Sequence, residues 1–193
     1  MKFLIHLRML AIMSLMNLSF SNATELDVKE LYYLKKEGRL TSEQSKKLEE
    51  DKRDAMSILT KLGESYPFDL KDLDILEEFF KEKQTRFDKY WEENKEIIED
   101  AKKGDREALL LLGCGTHNGT LPRPEKREDL PIRLLLESAK KGYAPAIESL
   151  SGIHEMGFGP IGKDLSISEK LTTLAFSLDD PSSESVRACY EVE

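Results

Sequence analysis

The sequence predicts an all-α protein: an α/α solenoid of short helical hairpins preceded by an amino-terminal helical region. Three observations predict it. Ala101-Lys102-Lys103-Gly104 reappears as Ala139-Lys140-Lys141-Gly142, 38 positions on. Apolar residues between these markers fall three and four apart, the spacing that lines one face of a helix. Only 7 prolines and 11 glycines occur in 193 residues, and several glycines stand where helices should stop.

The recurrence keeps its register beyond the tetrapeptide. Ala108 pairs with Ala146, Leu112 with Leu150 and Gly119 with Gly157, so small or apolar residues return wherever close packing needs them. Each unit reads as a hairpin. Gly104 or Gly142 ends one helix at a position that often requires positive φ. Ala108 to Leu112, and Ala146 to Leu150, set apolar residues four apart on the next helix, which stops at Gly119 or Gly157. A second helix starts near the acidic cap candidate Asp129, tolerates Pro131 in its first turn, and runs through Leu134, Leu135 and Ala139. Its counterpart starts near Asp164 and runs through Leu171, Leu174 and Ala175. One hairpin cannot bury its own apolar face, so copies are expected to stack.

Four helices are expected upstream. Leu26 to Lys36 forms the first, with Gly38 as its stop. Thr41 and Gln44 make a capping box for a second reaching about Leu62, whose charged stretch Glu43 to Asp54 reads as a solvated face. Pro67 opens a third segment in which Leu73, Leu76, Phe79 and Phe80 keep helical spacing. A fourth aligns Phe87, Tyr90, Trp91, Ile97, Ile98 and Ala101. It ends in the same Ala-Lys-Lys-Gly run as the later helix, so it reads as the closing half of a diverged leading unit. Trp91 is expected in the core on that spacing, with a role as a partner anchor as the alternative.

The chain begins as a targeting segment. Lys2 and Arg8 precede the apolar run Met9 to Phe20, and Ser21-Asn22-Ala23 supplies the small residues a signal peptidase reads. The run is shorter than the roughly 20 residues of a spanning helix. The expected organisation is therefore a signal peptide at 1–23, a charged helical region at 24–84, the solenoid at 85–180 and an acidic tail at 181–193. Losing Lys2 and Arg8 moves the formal charge from −8 to −10 and, with His6 gone, leaves His117 and His154 as the histidines. This balance excludes a general nucleic-acid binder, which needs clustered cations. No membrane association is expected once the signal is removed.

The chemistry-bearing residues are few. Cys114 and Cys189 could bridge in an oxidising compartment, but two regular steps along a solenoid would separate them by about 20 Å at ordinary helix spacing. A bridge therefore needs the tail to fold back. Cys114 and His117 form a Cys-x-x-His pair that lacks the further ligands of a tetrahedral zinc site, so no metal and no cofactor is expected. Ser149 or Ser151 with His154 is the nearest approach to a nucleophile and base, without a group that would orient them.

The recurring pattern resembles the Sel-one-like repeats, a tetratricopeptide-like class of α/α units. The later copy carries Ala139, Gly142, Ala146, Leu150, His154 in an aromatic slot, Gly157-Phe158-Gly159 and Asp164. The earlier one carries Ala101, Gly104, Ala108, Leu112-Gly113, Thr116 in that slot, Gly119 and Asp129. Neither slot holds tyrosine, and the first loop lacks the second glycine. The resemblance spans residues 101 to 176 and implies a surface that holds another protein. Together with export, acidity and the lack of catalytic residues, it leads to a non-catalytic binder of immunity type that covers a basic toxic effector. An envelope scaffold binding a cell-wall enzyme is the alternative. A cell-wall or β-lactam hydrolase, chemistry the resemblance also brings in, stands last. Tyr143, His154, Glu155 and Phe158 are the expected partner contacts, on the assumption that they are exposed.

Overall fold

A computed structural model of the protein describes residues 28–84 and 89–178. The expected signal peptide and tail, together with Phe87, lie outside these residues. The described residues form eight helices and no strand: α1 (Val28–Lys36), α2 (Ser42–Ser65), α3 (Leu70–Lys83), α4 (Tyr90–Lys102), α5 (Arg106–Asn118), α6 (Leu130–Lys140), α7 (Ala144–Met156) and α8 (Leu165–Ser177). The fold is all-α, as the periodicity predicts.

Two compact units divide the chain, residues 1–40 and 41–193. The first contains α1. Gly38 closes it with φ 67°, and its N–H donates to the Lys35 carbonyl at 3.0 Å. In the second unit α2 begins with the predicted box: Gln44 N–H donates to Thr41 Oγ1 at 3.1 Å, and Thr41 N–H to Gln44 Oε1 at 2.8 Å. The next helix starts three residues after Pro67 and uses Asp69 and Asp72 as its own reciprocal box.

The expected boundary near residue 84 does not divide the structure. Helix α2 packs across α6 and α8 because Ala55 and Leu59 enter the same buried cluster as Leu135, Leu136, Leu150, Ile153 and Leu171. A second cluster joins Leu73, Leu76 and Phe80 of α3 to Ile98 of α4, Leu109 and Leu112 of α5, and Leu134 of α6. Helix α6 thus serves both clusters through adjacent residues. Trp91 is half-buried at the edge of the second, with Lys81 Nζ 4.3 Å above its ring. It packs against that cluster, as the core reading expects, without being fully enclosed.

Ionic contacts tie the elements at longer range. Asp72 is 2% exposed and meets Arg127 at 3.1 Å and Arg133 at 3.5 Å, linking α3 to the start of α6. A buried carboxylate without such partners would be costly. Lys102 lies 2.6 Å from both Asp74 and Glu77, joining α4 to α3. Asp54 of α2 accepts from Lys170 of α8 at 2.8 Å.

The residues 38 apart occupy corresponding places. Gly104 and Gly142 have φ 84° and 74°, and each N–H donates to the alanine three residues back, Ala101 or Ala139, at 2.9 Å. Ala108 and Ala146 are buried, and Leu112 and Leu150 are fully so. Gly119 and Gly157 follow the ends of α5 and α7. The acidic caps diverge. Asp164 accepts from Ile167 N–H at 3.1 Å and caps α8. Asp129 does not cap α6; its carboxylate accepts instead from Arg133 Nε at 2.7 Å.

Candidate partner-binding face

Of the four expected contact residues, Glu155 is exposed, Phe158 half-buried, and Tyr143 and His154 are buried at 3% and 4% exposure. This corrects the assumed exposure of the set. Tyr143 follows the turn at Gly142 and enters α7 as its cap, so its ring joins the apolar cluster around Ile147 and Leu150. The Arg106 guanidinium stands 4.7 Å from the ring centroid. His154 lies one turn beyond the buried Leu150, on the same helix face.

Phe158 is held by a short loop. Gly157 turns the chain at φ 76° and has Lys163 N only 3.0 Å from where a Cβ would lie, so backbone fills the space a side chain would need. Phe158 and Ile161 exchange backbone hydrogen bonds of 2.9 and 3.0 Å. The Phe158 ring meets His117 edge-on at 4.0 Å, and Arg123 approaches it at 5.9 Å. Reading His117 against Cys114 as a ligand pair obscured this contact; its place in the last turn of α5, level with the corresponding loop, was the available signal. A recess of about 380 Å³ beside Phe158's partners is lined by Thr116, His117, Arg123, Glu125 and Glu128. A broader groove of about 920 Å³ runs past Phe79, Tyr90, Pro122 and Pro124.

The loop is anchored at its far end as well. Asp164 N–H donates to the His154 carbonyl at 2.7 Å. Among the described residues neither nitrogen of the His154 ring has a hydrogen-bond partner. Burial holds the His154 pKa below its ordinary value, opposed by the Asp164 carboxylate. Burial lowers that of His117 too, and Arg123 adds to the effect.

The serine–histidine set is not assembled. Ser151 Oγ donates to the Ser168 carbonyl at 2.8 Å and lies 2.9 Å from Ser168 Oγ and 2.7 Å from Thr172 Oγ1. Ser149 Oγ donates to the Pro145 carbonyl at 2.9 Å. These serines join helices or bond within one; neither is bonded to the imidazole. Cys114 is in a disulfide, which removes it as a thiolate ligand. Cys189, the chain's other cysteine, lies outside the described residues. No group of three His, Cys, Asp or Glu able to hold a metal occurs among the described residues. None of their helices is long and apolar enough to cross a membrane.

Comparison with protein-family models, with curated proteins and with solved structures finds no match to this chain.

Proposed function

We propose that this chain is an exported, non-catalytic protein-binding stack of Sel-one-like helical hairpins that neutralises a basic effector by covering it. The observation that carries this reading is the correspondence of α5–α6 with α7–α8. Gly104 and Gly142 make the same turn, and Leu112 and Leu150 fill the same depth of core. Stacked helical hairpins present a long surface suited to holding another protein. The disulfide at Cys114 supports export, because such bonds persist in oxidising compartments. The acidic balance supports a basic partner, since opposite net charges speed encounter.

The test is capture by residues 24–193, with the disulfide intact, from the native envelope extract. The expected result is one stoichiometric basic protein whose toxic or hydrolytic activity is titrated to zero by this chain, with association slowing as salt rises. No stoichiometric partner, or a partner whose activity is unaffected, overturns the neutralising role.

A further inference from the structure

We propose that the α7–α8 connection, residues 157–164, is an acid-opened latch, held shut at neutral pH by the buried, uncharged ring of His154. Three geometric facts converge on it. The ring is 4% exposed, and among the described residues neither nitrogen has a hydrogen-bond partner. The same residue's carbonyl holds the end of the connection through Asp164 N–H at 2.7 Å. Asp164 is in turn the cap of α8, accepting from Ile167 N–H. Among the described residues an imidazolium in this place would have no acceptor for its two N–H donors, and it would lose hydration. Two exits are open to it: contact with water, or capture of the Asp164 carboxylate. The first needs the ring to leave its buried place beside the Asp164 anchor, and the second strips the cap from α8.

Among the described residues, Asp164 at the start of α8 is the charged group that acts on the His154 ring. On its own helix Glu155 faces solvent. On α6, Arg133 is held by Asp72 and Asp129, and Glu137 faces Lys140 and Lys141. From α5, His117 packs on Phe158 in the same connection. Arg123 lines the recess with His117, alongside Glu125 and Glu128. Protonated His117 would be repelled by Arg123, so the second histidine adds to opening at low pH. The latch is independent of what the hairpins bind.

Hydrogen exchange by NMR on residues 24–193 tests it, with rates expressed relative to the intrinsic rate at each pH. The amides of Phe158, Ile161, Asp164 and Ile167 are expected to lose protection about tenfold or more between pH 7.5 and 5, against a one-proton limit of about tenfold per pH unit. The Leu135 and Leu136 amides of α6 should hold theirs. His154→Phe fills the slot without a titrating group and should keep the connection protected at pH 5, while His117→Phe should keep most of the fall. Equal loss in wild type and His154→Phe, or loss spread equally over α6, overturns the latch. If His154→Phe does not fold, the His154 ring proton resonances of the wild type decide. Their titration must track the Asp164 amide's loss of protection, and a ring that titrates while that amide stays protected overturns the proposal.

Discussion

The α5–α6 and α7–α8 hairpins share a backbone plan and differ in how they fill it. At positions 38 apart the first carries Gly113, Cys114 and Thr116, and the second Ser151, Gly152 and His154. Gly113 lets Leu135 approach so closely that a Cβ there would lie 2.9 Å from the leucine Cγ. Its counterpart Ser151 meets α8 through Ser168 and Thr172. Thr116 satisfies its own hydroxyl on the Leu112 carbonyl at 2.7 Å, whereas among the described residues the His154 ring has no hydrogen-bond partner. The first pair is thus joined by close apolar contact, the second by hydroxyls beside a buried imidazole. The plan constrains residue size and turn geometry at a few points and leaves the polarity of the join free.

The disulfide is the largest asymmetry, since Cys114 on α5 has only Gly152 opposite it in register. Cys114→Ser is expected to cost about 2–5 kcal/mol, the usual loss for a native bridge, read as a lower urea midpoint under oxidising conditions. Under reduction wild type and variant should unfold alike. A variant as stable as the oxidised wild type would show that the bridge adds nothing to the fold. The leucines should break symmetrically. Leu112→Ala and Leu150→Ala each open a fully buried site and should cost about 3 kcal/mol. If one costs less than half the other, the two hairpins are not equivalent in depth.

Much of this plan is legible in the residues. Gly104 and Gly142 announce themselves because a turn with positive φ admits little else, and the Thr41–Gln44 box is complete within four residues. What escapes a linear reading is contact across the fold. Asp72 meets Arg127 from 55 residues away, and no local periodicity encodes that partner. Asp129 looks like Asp164 in sequence, yet Arg133 one turn later draws its carboxylate off the cap. The assumed exposure of Tyr143 and His154 fails for a related reason. An aromatic beside a glycine turn reads equally well as a loop contact or as the first core residue of the next helix. Tyr143 is the second: its ring joins the buried cluster with Ile147 and Leu150, and the Arg106 guanidinium stands 4.7 Å from the ring centroid.

Exchanging the joins sharpens the contrast further. Gly113→Ala gains about 1 kcal/mol of helix propensity but drives its methyl against Leu135, and overpacking of this kind costs about 1–3 kcal/mol. A net loss near 1 kcal/mol is expected in chemical denaturation. Ser151→Ala should cost a similar amount by leaving the Ser168 carbonyl and Thr172 hydroxyl short of a partner. A stabilising Gly113→Ala would mean that α6 can shift and that the close approach is incidental.

The smallest effect at neutral pH is the most specific. Burial lowers the folded pKa of His154 from its ordinary 6.5, with the Asp164 carboxylate opposing. Between those two values the unfolded chain binds the extra proton, so stability is complete above pH 6.5 and is lost as the pH falls toward the folded value. Thr116, at the corresponding place, has no such dependence. Thr116→Val should cost about 1 kcal/mol or less at every pH, because only its hydroxyl's shared hydrogen bond to the Leu112 and Gly113 carbonyls is removed. His154→Phe should change little at pH 7.5 and become relatively more stable as the pH falls, leaving the slope that His117 contributes. Urea midpoints at pH 7.5, 6.5, 5.5 and 5 separate the two. Parallel curves for wild type and His154→Phe would mean that the ring gains a partner on protonation. The second hairpin would then be as well satisfied as the first.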